Sequence, residues 1–261
     1  MTRWVTRLCP TCNADKRGCL HVGHLYCALV NAYEAHNSGG KFGVRFDDTQ
    51  GSWLWVCGQQ DIDDSKFCIR RELSWFGIIP DWWSSQSELM PKCKEFLLIA
   101  SHSQNKSKEH QCKVLKRWFP KPVFSDYDCA EAIGIHHCYP PDRRLTTEHV
   151  LMDAMENCSW IIRGNDLLNE DNLYWNIGHE LGLMRVRRSY LPRLIFQGDE
   201  ISKTLGNFKL EEFIQRKIDP KEVISNLAID CLKDPDQGWA YDNLKLSPTL
   251  GTWVRKYGFS I

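Results

Sequence analysis

LHVGHLYCALVNAYEAHNSGG, residues 20–40, is the stretch that decides the fold. Leu25, Ala28, Leu29 and Ala32 recur at helical spacing, so residues 24–35 read as a helix with one apolar face. His36-Asn37-Ser38-Gly39-Gly40 then supplies residues that tolerate turn and left-handed geometry at a helix end. Before this run, residues 4–8 read as a strand; after it, residues 42–46 read as a second, followed at once by Asp47-Asp48. Strand, helix and strand in this order make a βαβ unit, with ligands expected at the carboxyl ends of its strands.

Working outward, residues 59–77 read as a helix ending in Trp75-Phe76-Gly77, and residues 91–102 as an amphipathic helix beginning at Pro91. From 103 to 149 the pattern dissolves into a polar stretch, a Trp-Phe-Pro-Lys-Pro turn and a Cys/His-rich segment, the composition of an irregular insert. The α/β rhythm resumes with a strand at 160–163, a helix at 172–181, a strand at 191–196, and the loop from Gly198 to Gly206. The expected organisation is therefore α/β: residues 1–102 and 150–207 form two halves of one parallel-sheet domain, 103–149 a short inserted subdomain, and 208–261 a small helical stem.

The 261 residues are 43% hydrophobic and 25% charged, enough for a sizeable core. Lys+Arg and Asp+Glu both number 33, so net charge gives no argument for DNA or a membrane surface, and any basic face must be local. MTRWVTRLCP lacks the apolar run of a signal peptide, and nowhere do about 18 apolar residues follow one another as a membrane span needs. The chain reads as cytoplasmic, and its 12 cysteines as reduced thiols, metal ligands or core fillers.

Two constellations carry chemistry. In Leu20-His21-Val22-Gly23-His24, two imidazoles three residues apart lie on one face of a first helical turn, where free N–H groups and the positive dipole end favour phosphate. Gly23 between them permits close approach of a flat nucleoside. The alternatives are a helix cap plus a surface residue, or a pair of metal ligands. The second is Glu200-Ile201-Ser202-Lys203-Thr204-Leu205-Gly206-Asn207, a polar loop directly after an expected strand. A mobile lysine and hydroxyl there can close over a triphosphate and neutralise charge at the α-phosphate; losing one such contact typically costs about 3 kcal/mol of transition-state stabilisation. A solvated surface loop is the alternative.

The order HxGH, parallel-sheet pattern, then SKT in a late loop resembles the two signatures of class I aminoacyl-tRNA synthetases, His-Ile-Gly-His and Lys-Met-Ser-Lys-Ser. Further segments are similar to the glutamyl/glutaminyl branch: TRLCP at 6–10, KFGVRFDDT at 41–49, LSWFGI at 73–78, SSQSEL at 84–89, DAMENCSWIIRGNDLL at 153–168 and SYLPRLIFQGDEISK at 189–203. The resemblance implies a HUP-type Rossmann-like catalytic domain that uses ATP and Mg²⁺ to activate glutamate, or glutamine, and passes it to tRNA. It implies that His21, His24, Ser202 and Lys203 are catalytic, and that Cys9, Gly23, Asn165 and Ile201 join His21, His24 and Lys203 around ATP. Asp47 would hold the substrate's ammonium group, and Arg7 its carboxylate or side-chain end. Arg163 stands where glutamyl enzymes carry an arginine facing the side-chain carboxylate, which points to glutamate.

Four features depart from the family pattern. The loop from Cys9 to Cys19 is longer and brings a CxxC, so Cys9, Cys12 and Cys19 offer a zinc set, against unliganded thiols in a remodelled loop. Glu200 replaces the first lysine of the late signature. The insert, which grips the tRNA acceptor end in relatives, is short; Cys129, His136, His137 and Cys138, with His110 and Cys112 before them, are a second candidate zinc cluster there. No anticodon-binding domain fits into 208–261, an arrangement with a precedent in glutamyl-queuosine tRNA(Asp) synthetase. Two other readings remain: a catalytically silent synthetase-like binding module, and a nucleotidyltransferase outside translation that shares only HxGH.

Overall fold

The computed structural model describes residues 3–12, 20–48, 59–103, 147–164, 186–191, 195–196, 199–200 and 209–225. The chain divides into two compact units, one built on Met1–Ser85, Ile162–Asp166 and Ser189–Ile261, the other on Gln86–Ile161 and Leu167–Arg188.

In the first unit, β1 (Val5–Leu8), β2 (Lys41–Phe46) and β3 (Trp82–Ser85) form a parallel sheet in that order. The register places Thr6 beside Phe42, Leu8 beside Val44 and Val44 beside Trp83. Successive residues of a strand alternate between faces, so Thr6, Leu8, Phe42, Val44 and Phe46 share one face and Arg7, Gly43, Arg45 and Trp82 the other. Onto the first face pack α1 (Val22–Asn37) and α2 (Gln59–Trp75), whose Leu25, Leu29, Ile69 and Leu73 are fully buried in one cluster with Leu8, Phe42, Val44 and Phe46. Each such side chain contributes about 1.5–3 kcal/mol by leaving water. Thr6 Oγ1 donates to the Asn31 carbonyl at 2.8 Å, tying β1 to α1. Gly43 is glycine for a steric reason: a Cβ there would collide with the Trp82 indole.

The helix expected at 24–35 starts two residues earlier and ends two later. Ser38 Oγ donates to the Ala35 carbonyl at 2.7 Å, Gly39 takes φ +69°, and the Gly40 N–H returns to the same carbonyl at 2.8 Å, a Schellman-type stop. Asn31 Nδ2 reaches the Ile162 carbonyl at 3.0 Å, which holds β4 (Trp160–Gly164) against α1. After the late loop, α5 (Leu210–Gln215) buries Leu210 in the same cluster.

In the second unit, α3 (Gln86–Ser103) packs on α4 (Thr147–Met155), with Cys93 Sγ at 3.9 Å from the Glu148 carbonyl. The expected start at Pro91 is corrected: α3 begins at Gln86, and Pro91 lies inside it. Pro91 removes one N–H from the ladder, but burial of Cys93 and Phe96 holds the helix through that point. The helix α4 and the strand β3 were not expected. The expected strand at 191–196 is also corrected: β5 (Arg187–Leu191), which pairs with β4, stops at Leu191, and β6 (Ile195–Phe196) turns back antiparallel with β7 (Asp199–Glu200). Leu191 precedes Pro192, which has no N–H to extend a ladder. The expected helix at 172–181 lies outside the described residues.

Glu72, on α2, is fully buried, and its Oε2 accepts the Leu20 N–H at 2.8 Å. Burial pushes its carboxyl up to about 9 from an ordinary 4.5; the Leu20 N–H works the other way, and Cys68 and Glu211 add to the rise. The folded chain thus keeps a proton that the unfolded chain has lost, so this stability is complete below about pH 4.5 and is lost as pH climbs toward about 9. Gln at this position accepts the same N–H and does not titrate. Thermal melts of Glu72→Gln against wild type should therefore diverge between pH 5 and 8, the variant gaining relative stability by up to about 1.4 kcal/mol per pH unit. Parallel curves would show that Glu72 ionises normally.

Candidate functional site

The site starts where α1 begins, because the first N–H groups of a helix have no intrahelical partner. His21 is the N-cap residue, with extended backbone (φ −115°, ψ 171°), and its Nδ1 accepts the Gly23 N–H at 2.9 Å. His24 Nδ1 reaches back to the His21 N–H at 3.4 Å, closing a reciprocal capping box with imidazoles in place of the usual hydroxyl and carboxylate. The ring centroids are 4.1 Å apart, tilted by 50°. A nitrogen that accepts carries no proton, so each ring, when neutral, holds its hydrogen on Nε2. Gly23 is required here because a Cβ would stand 2.6 Å from His21 Cε1.

His21 also forms an antiparallel bridge with Lys209, and the Leu210 N–H donates to the Leu20 carbonyl at 2.8 Å. The segment that leaves the late polar loop is therefore fixed against the first turn of α1. Lys203, Ser202 and Ile201 lie outside the described residues, as do Asn165, Cys19 and the set Cys129, His136, His137 and Cys138.

The strand ends carry the acidic pair. β1 is prolonged past Leu8: Thr11 bridges Asp47, the Asp47 N–H donates to the Pro10 carbonyl at 2.9 Å, and the Cys12 N–H to the Asp47 carbonyl at 2.8 Å. Asp47 is buried, with Oδ2 accepting from Thr11 Oγ1 at 3.2 Å. Asp48, also buried, is held by Lys66 Nζ at 2.7 Å. Lys66 and Arg70 lie over the Phe46 ring at 5.7 and 5.4 Å, and Phe46 stacks on Trp83 at 5.3 Å. Cys9 is half-buried, whereas Cys12 sits in the hydrophobic cluster. Burial pushes the Cys12 thiol up to about 12; the Ser65 hydrogen bond and Lys66 oppose this, and Asp48 and Asp47 reinforce it. That is the environment of a core-filling thiol.

Arg7 is buried in β1, on the face away from α1 and α2, and shares that face with the fully buried Arg45, which sequence reasoning did not single out. The alternation of RF-D-D could have revealed it. Arg163, buried in β4, donates through Nη2 to Tyr190 Oη at 3.0 Å, with its guanidinium 5.3 Å from the Tyr190 ring. Tyr190 was likewise missed.

In the second unit, Asp153, Glu156 and Cys158 bring ligand atoms within 4.8 Å of one another. The C-terminal turn of α4 accounts for this grouping: Asn157 takes φ 57° and the Cys158 N–H returns to the Asp153 carbonyl at 2.8 Å.

Residues 4–102 match the family described as tRNA synthetases class I (E and Q), catalytic domain. Glutamate–tRNA ligase 2 of Methylobacterium radiotolerans is 36% identical over 70 residues, 27% of this chain and 14% of that protein. Glutamate–tRNA ligase 1 of Novosphingobium aromaticivorans is 36% identical over 83 residues, 32% of this chain and 16% of that protein. The matched stretch thus spans less than about a fifth of these relatives. Among solved structures, a glutamate-tRNA synthetase from Elizabethkingia anophelis aligns with a TM-score of 0.52 at 16% identity, over 79% of this chain and 54% of that one. A tyrosyl-tRNA synthetase from Archaeoglobus fulgidus gives a TM-score of 0.53 at 11% identity, over 88% and 66%. At these identities the likeness is one of fold: the α/β, Rossmann-like catalytic domain of class I synthetases.

The capping geometry separates two roles of His21. Asn caps a helix as well as any residue, so His21→Asn should melt within a few tenths of a kcal/mol of wild type, whereas His21→Ala should lose about 0.5–2 kcal/mol. Equal losses in urea unfolding would show that the cap contributes no stability.

Proposed function

We propose, taking as premise that this chain is glutamyl-tRNA synthetase-like in sequence over residues 4–102 and in fold over 79% of its length, that it activates glutamate with ATP and transfers it to tRNA. The observation that supports this reading is the bridge between His21 and Lys209, a residue that follows the lysine-bearing segment in the sequence.

In the proposed reaction the triphosphate, brought as its Mg²⁺ complex, lies at the N-terminus of α1. There the helix dipole and the Nε2–H groups of His21 and His24 meet phosphate oxygens. Asp47 takes the glutamate ammonium group, while Arg7 and Arg163 take the side-chain carboxylate. A carboxylate oxygen of glutamate attacks the α-phosphorus, the bond to the β-phosphate oxygen breaks, and glutamyl-adenylate and pyrophosphate form. Lys203 and Ser202 stabilise the charge that develops at the α-phosphoryl group, so catalysis is chiefly positioning and electrostatics. An acceptor hydroxyl of the tRNA then attacks the adenylate carbonyl and releases AMP. A modified tRNA base, as in the glutamyl-queuosine enzyme, is the alternative acceptor.

Pyrophosphate exchange into ATP, run with each of the twenty amino acids and with and without tRNA, tests the proposal. Glutamate should support exchange, and His24→Ala or Lys203→Ala should reduce it by about 10²–10³-fold. Arg163→Gln should raise the KM for glutamate about ten- to a hundredfold and leave the KM for ATP in place. Exchange with none of the amino acids removes the activation reading, and ATP binding without exchange would make the chain a silent binding module. A preference for glutamine would overturn the assignment of Arg163.

A further inference from the structure

Leu20 and Lys209 are far apart in the chain, yet the neighbourhoods of both are held by side chains from the last turns of α2. Leu20 is fully buried; its N–H goes to Glu72 Oε2 and its carbonyl receives the Leu210 N–H, both at 2.8 Å. Arg71, the residue before Glu72, extends Nη2 to Glu211 Oε1 on α5 at 3.0 Å, and to Cys68 Sγ at 3.7 Å. Two consecutive side chains of one helix thus hold the residue that precedes the histidine pair and the helix that follows the lysine-bearing loop. Leu73 and Leu210, both fully buried, pack in the same cluster and keep the two contacts from acting as separate surface bonds.

The fixed element is α2, because its Ile69 and Leu73 are anchored in the core. The elements that it contacts are the residue before the cap of α1 and the first turn of α5. We propose that Arg71 and Glu72 are positioning residues that set the distance between the histidine motif and the start of α5, which follows the lysine-bearing segment in the sequence. Glu72 fixes where the first turn of α1 begins, and Arg71 fixes where α5 begins. This rests on the activation reading above, and predicts that their loss changes the handling of ATP while the glutamate-binding strand ends keep their geometry.

The test uses the full chain and two readouts. In pyrophosphate exchange, Glu72→Ala leaves the buried Leu20 N–H without its acceptor and should impair kcat/KM for ATP about tenfold or more, with the KM for glutamate little changed. Glu72→Gln, which restores an acceptor, should recover most of that loss. Arg71→Glu and Glu211→Arg should each cost about two- to fivefold, and the double charge swap should regain it. In hydrogen exchange followed by mass spectrometry, Arg71→Glu should speed exchange in the segment 209–215, and Glu72→Ala in the segment 20–25, relative to Glu72→Gln. An unfolded Glu72→Ala leaves the arginine arm and the Gln variant to decide. If neither segment changes its exchange, or if glutamate and ATP constants move together in folded variants, the positioning role is wrong. A wild-type chain without exchange activity removes the activation reading alone, since the amide readout still decides whether α2 holds the two segments.

Discussion

A helix cannot satisfy its own first N–H groups, and at α1 that constraint is met by two imidazoles. Ser, Asp or Asn would cap this turn with a shorter and more favourable side chain. Using His21 and His24 instead commits Nδ1 of each ring to a backbone N–H, so a structural need has fixed the tautomer of two neutral imidazoles. Gly23 belongs to the same device, since any Cβ there would strike the folded-back His21 ring. The bridge to Lys209 and the bond to Glu72 then locate this turn relative to the rest of the first unit.

The opening βαβ unit was legible because its signals are local and agree: helical spacing of Leu25, Ala28, Leu29 and Ala32, a Gly-Gly stop, and an apolar strand running into two acids. Where such signals conflict, the reading failed. Pro91 looked like a helix start, yet packing of Cys93 and Phe96 carries α3 through it. Trp82-Trp83-Ser84-Ser85 is too short and too polar at its end to announce a strand; it pairs with β2 as β3, where the Trp82 indole takes the space that a Cβ on Gly43 would fill. The run at 191–196 is apolar apart from Arg193, and periodicity cannot show that Ile195 and Phe196 pair antiparallel with Asp199 and Glu200.

For the site, sequence motifs named the residues but not their neighbours. Nothing in the spacing of His21 and Lys209 suggested a bridge, because contacts between distant segments are set by the topology of the sheet. Tyr190 was invisible for the same reason: its meeting with Arg163 depends on the pairing of β4 and β5. Arg45 could have been found, since a residue two beyond Gly43 must share a face with it and therefore with Arg7.

The doublet Asp47-Asp48 shows how position alone divides two identical groups. Consecutive residues at a strand end point to opposite sides. One side is covered by α2, where Lys66 meets Asp48 at 2.7 Å over the Phe46 ring. Removing one partner of such a buried pair typically costs about 3–5 kcal/mol, which makes Asp48 a structural acid committed to its lysine. Asp47 instead closes the junction with Pro10, Thr11 and Cys12, at the carboxyl end of the parallel strands, where ligands of α/β sheets collect. Two adjacent aspartates in a sequence invite assignment of both to the ligand; the lysine two turns into the facing helix commits Asp48, so the proposed ligand role falls to Asp47 alone.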